Sequence, residues 1–266
     1  MNTLRLYWEL IKLSFQRQLT YRAATLAGLM TNFFFGLLRV AVLLALYGTR
    51  SEVEGMSPRD AITFMALTQA TVSYLSIFGW NEVMNSVYSG DVAGDLLKPM
   101  SYLGYWLARD VGRAAATLLM RGFLLMIVYA LFFDITSPTT LGQWLALLVA
   151  LILGLLVSFA WRFLVNLASF WTPNATGVGR LAFGVGLTLS GFFMPLRFFP
   201  DWYVTLCQLT PFPSMVNTIV EVYLELLQGQ ALLQALAWQL FWLVMLLLLG
   251  HLVLRAGVHR LVIQGG

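Results

Sequence analysis

The sequence carries very little charge. Only 11% of its 266 residues are Asp, Glu, Lys or Arg, whereas an average soluble domain has roughly 25%. Hydrophobic residues make up 59% of the chain, and a soluble protein of this composition could not cover its own surface with polar groups. The composition therefore excludes a soluble globular enzyme, a disordered regulator and a nucleic-acid-binding protein, and it predicts a polytopic membrane protein.

Cysteine and histidine are nearly absent. The single cysteine, Cys207, excludes an internal disulfide, and the two histidines, His251 and His259, lie near the C-terminus. This set is too small for a metal centre or for a Ser-His-Asp arrangement. We therefore expect no metal site and no catalytic residues. An intramembrane or lipid-modifying enzyme is disfavoured, because it would need His, Asp or Ser residues that converge within the spans.

Lysine occurs only twice, and neither lysine lies in a nucleotide-binding loop. Such a loop places glycines before Gly-Lys-Ser/Thr, whereas Lys12 follows an isoleucine and Lys98 precedes a proline. We therefore expect this chain to bind no cofactor and not to hydrolyse ATP by itself.

Long apolar runs indicate the membrane spans, because a helix needs about 20 apolar residues to cross a bilayer. Four uncharged runs and two runs with one internal arginine, Arg39 or Arg121, form the centres of six predicted spans. We therefore predict an all-α protein with six transmembrane helices. The predicted spans are residues 23–47, 61–81, 112–133, 141–165, 179–196 and 230–254.

The basic residues lie mainly on one side of these spans. Eleven fall at or beyond the span ends on the side that holds both termini, three fall on the opposite side, and two, Arg39 and Arg121, lie within the apolar runs. Because Lys and Arg are enriched on the cytoplasmic side, we expect both termini in the cytoplasm. The first apolar run is longer than the core of a signal peptide and starts only near residue 23, so no cleavable signal peptide is expected.

Residues 1–22 predict an amphipathic helix. Apolar side chains recur at helical spacing at Leu4, Tyr7, Trp8, Ile11, Phe15 and Leu19. The opposite face carries Arg5, Glu9, Lys12 and Gln16. A helix with Trp and Phe on its apolar face is typical of one that lies along a membrane surface, here the cytoplasmic one.

Two arginines and two aromatic pairs are candidates for a transport path. Arg39 lies near enough to the outer end of its span to reach the headgroups, whereas Arg121 lies deeper and needs a carbonyl, a water-filled cavity or a partner subunit. For Arg121, hydrogen bonding between helices is the favoured alternative. The aromatic candidates are Phe192, Phe193, Phe198 and Phe199. For the latter pair, an aromatic belt at the outer interface is the alternative.

Three polar interruptions occur in an order that resembles one known family. Residues 89–100 contain glycines followed by Asp95-Leu96-Leu97-Lys98-Pro99, residues 194–213 are rich in proline and aromatics, and the chain ends in Gln264-Gly265-Gly266. Together they resemble the permease subunits of type-2 ABC exporters, in particular a bacterial ABC-2 branch of similar length. The resemblance covers the whole chain, which makes residues 1–266 a single ABC-2 transmembrane domain.

The resemblance implies a fold, a location and partners. Residues 195–228 would form an outer re-entrant segment between the fifth and sixth spans, and the protein would lie in the bacterial inner membrane among lipids. The implied partners are two copies of a cytoplasmic ABC ATPase subunit, which bind ATP and Mg²⁺, and a second permease. That permease would be a related, different chain or else a second copy. The resemblance names no substrate.

Residues 82–104 are the segment expected to couple this chain to the ATPase, because they form the longest polar stretch between spans. Glycines permit tight turns, leucines offer apolar contacts, and proline stiffens the exit. The predicted coupling residues are Gly90, Asp91, Gly94, Asp95, Leu96, Leu97, Lys98 and Pro99. The alternative is a solvated loop that only joins two spans.

A different function for the whole chain also stays open. It would be a passive channel, an ion-coupled carrier or a membrane assembly scaffold that is not driven by ATP. Carriers usually have acidic residues within their spans and internal repeats, and the sequence has no evident sign of either.

Overall fold

The computed structural model describes residues 3–172 and 174–260, so the Gln264-Gly265-Gly266 ending lies outside the described residues. Within these ranges every regular element is helical, apart from an isolated antiparallel bridge between Val53 and Met56. The α-helices, numbered α1 to α12, are Thr3–Thr20, Arg22–Tyr47, Pro58–Leu75, Glu82–Ser89, Val92–Leu96, Tyr102–Thr117, Leu124–Phe132, Leu141–Asn166, Thr176–Leu189, Asp201–Gln208, Asn217–Tyr223 and Gly229–Val258.

Four helical stretches of the described chain are long and apolar enough to cross a membrane. They are Ala23–Tyr47, Tyr102–Phe132, Leu141–Phe170 and Gly229–Val258. The second stretch joins α6 to α7 through a π-helical turn, Leu118–Phe123, and the third extends α8 by a 3-10 turn, Leu167–Phe170. The predicted all-helical membrane protein is confirmed at this level. The other two predicted spans, 61–81 and 179–196, fall largely on α3 and α9, which do not reach this length and apolarity.

Local sequence explains where several helices begin. Ser57 and Asp60 form a capping box at the start of α3, with Pro58 in the first helical position, where proline is well tolerated. Ser101 Oγ accepts a hydrogen bond from the Gly104 amide at 3.1 Å, and Thr140 caps α8 in the same way. The cap at Ser101 makes the second apolar stretch, which contains the predicted span 112–133, begin at Tyr102.

Helix α3 lies at the centre of the fold. Thirteen of its 18 residues are buried, and it packs against α2, α6, α7 and α8. Its polar side chains bond to their own helix, as when the Thr63 and Thr71 hydroxyls each donate to a carbonyl one turn earlier at 2.8 Å. Because α3 faces protein, it carries polar residues that a lipid-facing helix would exclude.

The amphipathic helix α1 packs along the first half of α6. Ser14 Oγ donates to the Arg109 carbonyl at 2.6 Å, and a Cβ atom added at Gly112 would lie 2.2 Å from the Ile11 carbonyl oxygen. Only glycine permits this approach of the two backbones. Half of the apolar face remains exposed, at Leu4, Trp8 and Leu19, with Trp8 64% exposed, whereas Tyr7, Ile11 and Phe15 are half-buried.

Between α9 and α12 the chain turns away and then returns. The Asn217 amide donates to the Ser190 carbonyl at 3.2 Å, and the Asn217 side-chain oxygen accepts from the Leu196 amide at 3.3 Å. Residues 191–216, which include α10, therefore form a loop whose two ends lie next to each other at the start of α11.

Candidate functional site

Helices α4 and α5 meet at a turn that requires glycine. Gly90 ends α4 with φ of 82°, and its N–H donates to the Val87 carbonyl at 3.2 Å. A residue with a side chain rarely adopts this conformation. Gly94 differs from the sequence-based expectation, because it lies inside α5 beside open space and makes no tight turn.

The two aspartates of this segment have different surroundings. Asp95 is buried, accepts a hydrogen bond from Ser86 Oγ at 2.6 Å and forms an ion pair with Lys98. Asp91 is exposed and accepts from Ser89 Oγ at 2.7 Å, and its side chain makes no capping bond to α5. Asp95 therefore holds the segment together, whereas the carboxylate of Asp91 faces solvent.

Lys98 closes the segment onto the start of α6. Its ammonium lies 3.6 Å from the centroid of the Tyr105 ring. Burial opposes the charged form, but the hydrogen bonds to Asp95 and Tyr105 outweigh it and raise the pKa of Lys98. The lysine is thus held in its charged form by its own chain, and Pro99 follows it as an exposed residue.

The exposed face of α4 and α5 is partly apolar. Leu97 is 85% exposed and Tyr88 is 75% exposed, and Asp91 and Gly94 are exposed beside them. We call these four residues the coupling face. Leu96 instead packs partly against the aromatic cluster beneath. The sequence did not identify Tyr88, because it does not show which side of α4 faces outwards.

The coupling face rests on a rigid support. Asn166 of α8 accepts a hydrogen bond from the Met84 amide at 3.1 Å and donates to the Trp80 carbonyl at 2.6 Å. Val83 and Val92 are buried in one cluster with aromatic side chains of α6 and α8. Both short helices are therefore fixed to the ends of two long ones.

Beneath this support lies a buried charge cluster. The Arg162 guanidinium donates to both carboxylate oxygens of Asp110, at 3.1 and 2.8 Å, and to Ser158 Oγ at 3.2 Å. Arg113 Nε donates to Asp110 at 2.8 Å and bonds through its other nitrogens to carbonyls of α3. The cluster joins α3, α6 and α8. The sequence analysis did not identify this cluster, because it counted charges by side of the membrane and paired none of them.

Arg39 contacts the turn that follows α9. Its guanidinium donates to the Phe192 carbonyl and lies 4.4 Å from the Phe192 ring centroid and 5.6 Å from that of Phe193. These three predicted residues are thus brought together. The Arg39 guanidinium thus has a carbonyl and two aromatic faces as partners within the protein, whereas the sequence analysis named only the headgroups.

The other path candidates lie apart from this group. Arg121 sits in the π-helical turn and donates to the Ala24 carbonyl at 3.0 Å and to Ser73 Oγ at 3.3 Å, which fits the interhelical alternative. Ala24 and Arg39 are 15 residues apart on α2, or about 22 Å at 1.5 Å per residue. The Phe198 ring lies 6.3 Å from Tyr47. The Phe199 ring lies 4.6 Å from that of Tyr203, with the two ring planes tilted by 31°.

Comparison with protein families gives one match. The sequence model of a family described as ABC-2 family transporter protein matches residues 33–265, a range that runs from within α2 through α12. A comparison with curated proteins finds no match. Among the residues that the structure describes, no three His, Cys, Asp or Glu side chains are grouped to hold a metal ion.

Proposed function

Because this chain belongs to the ABC-2 family of transporter proteins, we propose that it is the permease subunit of an ATP-driven exporter. The family confirms the resemblance and supports a membrane-embedded, non-catalytic transport component. In the proposal, two copies of a separate ABC ATPase bind ATP and Mg²⁺ and dock on the coupling face. A second permease, either a related chain or a second copy, completes the translocation path.

The observation that carries this proposal is the support beneath the coupling face. Leu97 and Tyr88 present apolar surface to a partner, and Asp91 adds a charge that an ATPase arginine would pair with. Asn166 fixes the same segment to α8, and the Asp110–Arg162 ion pair joins α8 to α6. A push on the coupling face would therefore move two long helices rather than deform a loop.

The proposed arrangement has six spans, with both termini in the cytoplasm of a bacterial inner membrane. The spans are α2, α3, α6 with α7, α8, α9 and α12, and residues 195–228 form the outer re-entrant segment. Helix α3 crosses while surrounded by protein. Helix α2 exposes Met30, Phe34 and Leu38, an apolar face suited to lipid or to the second permease.

Purification from the native membrane in mild detergent tests the proposal. We expect a co-purifying ATPase that carries a Gly-x-x-x-x-Gly-Lys-Ser/Thr loop, and ATP hydrolysis that is absent when this chain is purified alone. Most often a second permease should be recovered as well. Transport by this chain in vesicles without any ATPase would instead support the channel or carrier alternative.

A further inference from the structure

A cavity of about 640 Å³ lies between α10, α11 and the first turns of α12. A single face of α12 forms one wall of the cavity. This face carries Ala231, Gln234, Ala235 and Trp238 at helical spacing. The indole N–H of Trp238 donates to the Gln208 carbonyl at 3.1 Å, which fixes α12 against the end of α10. The volume is within the range of about 300–1,000 Å³ found for small-molecule sites.

The cavity has a charged end. Arg197 and Glu221 both line it, and their nearest nitrogen and oxygen atoms lie 3.4 Å apart, longer than the 2.7–2.9 Å or so of a strong charge-assisted hydrogen bond. Each side chain keeps part of its surface open, 26% for Arg197 and 18% for Glu221. The two charges are thus adjacent but only loosely joined.

Arg197 also has an unused donor. Its Nη1 donates to the Glu54 carbonyl at 2.8 Å, which fixes the guanidinium at the cavity wall. Its Nε is buried and has no hydrogen-bond partner among the described residues. A buried donor left without a partner costs about 1–3 kcal/mol, so the hydrogen-bonding capacity of this guanidinium is not used up by its contacts with Glu54 and Glu221.

We propose that this cavity binds a zwitterionic phospholipid. The phosphate accepts from Arg197, the ammonium pairs with the Glu221 carboxylate, and an acyl chain lies along Ala231, Ala235 and Trp238. An anionic headgroup would lie against the carboxylate and a cationic one against the guanidinium, so a headgroup with both charges is the one that fits. The small side chains of the two alanines leave the width that the acyl chain needs.

Native mass spectrometry of the purified chain tests this site with phosphatidylethanolamine and phosphatidylglycerol as probes. Ala235→Trp fills the cavity and should lower phosphatidylethanolamine retention about tenfold, equivalent to about 1.4 kcal/mol. Leu233→Trp is the matched control, because Leu233 lies on the same helix, points away from the cavity lining and is 68% exposed. Equal retention by the two variants would overturn the proposal.

Charge variants provide a second measurement that does not depend on how well Ala235→Trp folds. Glu221→Gln keeps the side-chain shape and removes the negative charge, so selectivity should shift from phosphatidylethanolamine towards phosphatidylglycerol. Arg197→Gln should weaken retention of both lipids. Unchanged selectivity in Glu221→Gln would contradict the assignment of the ammonium site. None of these outcomes depends on ATP or on an ATPase partner, so they test the lipid site separately from the proposed export function.

Discussion

Arg162 of α8 and Asp110 of α6 form an ion pair with two hydrogen bonds, at 3.1 and 2.8 Å. Both side chains are buried, and the more exposed of the two has 2% of its surface accessible. Breaking such a pair from one side is costly, because loss of Asp110 leaves the Arg162 guanidinium buried without its counter-ion, and loss of Arg162 leaves the buried Asp110 carboxylate with Arg113 alone. The pair therefore fixes the spacing between α6 and α8, the two long helices that support the coupling face.

Removing one partner of this pair should destabilise the protein strongly. Arg162→Met or Asp110→Leu alone should cost about 3–5 kcal/mol, measured as the loss of folded protein in a thermal unfolding series in detergent. The double variant Arg162→Met/Asp110→Leu should recover part of this loss, because it leaves neither charge behind. Additive losses in the double variant would contradict the pairing.

Substitutions on the coupling face should weaken ATPase binding and transport without unfolding the protein. Leu97→Asp and Tyr88→Asp place a charge on an apolar contact surface, so co-purification of the ATPase and transport should both fall. Membrane insertion and thermal stability should be unchanged, because both side chains are exposed.

Ser51→Asp is the control for that experiment, because it introduces the same charge at an exposed residue outside the coupling face. If Leu97→Asp and Tyr88→Asp retain the ATPase as well as this control does, the contact lies elsewhere, with α1 and residues 166–180 as the next candidates.

The two glycines of the segment should respond differently to alanine. Gly90 has φ of 82°, so Gly90→Ala should destabilise by about 1–2 kcal/mol. Gly94 lies inside α5, so Gly94→Ala should be neutral or stabilise by up to about 1 kcal/mol. The shift in unfolding temperature of each variant measures the difference, and a larger loss for Gly94→Ala would be inconsistent with the observed turn.

The stability of the outer segment should depend on pH through Glu221. Burial raises the pKa of Glu221 above its ordinary 4.5, and the nearby Arg197 lowers it only in part. The folded state therefore binds the proton of Glu221 more tightly than the unfolded chain does. The stability gained is present below pH 4.5 and is lost as the pH rises through the raised pKa. Unfolding temperatures across this range should fall for the native chain more steeply than for Glu221→Gln.

Cysteine labelling in intact cells should establish the orientation. In a Cys207→Ala background, Glu52→Cys and Ser137→Cys should react with a membrane-impermeant reagent, whereas Gly94→Cys and Asn174→Cys should not. All four positions are exposed in the structure, so accessibility within the fold does not limit the reaction. Labelling at position 94 from outside would reverse the topology and remove the coupling face from the cytoplasm.

The sequence predicted best those parts whose pattern reflects contact with lipid. Helices α8 and α12 follow the predicted runs 141–165 and 230–254 closely, because a helix in lipid must be apolar all round. Helix α3 departs from this pattern because neighbouring helices surround it. The sequence could not pair Asp110 with Arg162, since 52 residues separate them, and only the fold shows that they meet.

The candidate site was predicted in part for similar reasons. The motif in residues 89–100 indicated where the candidate site lies. The glycines at positions 90 and 94 look equivalent in the sequence, however, and only their backbone conformations distinguish them. Likewise Arg39 and Arg121 are both lone arginines in apolar runs. Their partners lie on other helices, so the local pattern could not separate them.

The contact between Arg39 and the Phe192 carbonyl also limits which helices can separate. Parting α2 from the turn after α9 would leave a partly buried guanidinium and a carbonyl without partners, which costs several kcal/mol. During a transport cycle, α2 and the turn after α9 should therefore move together as one rigid body, while other pairs of helices separate.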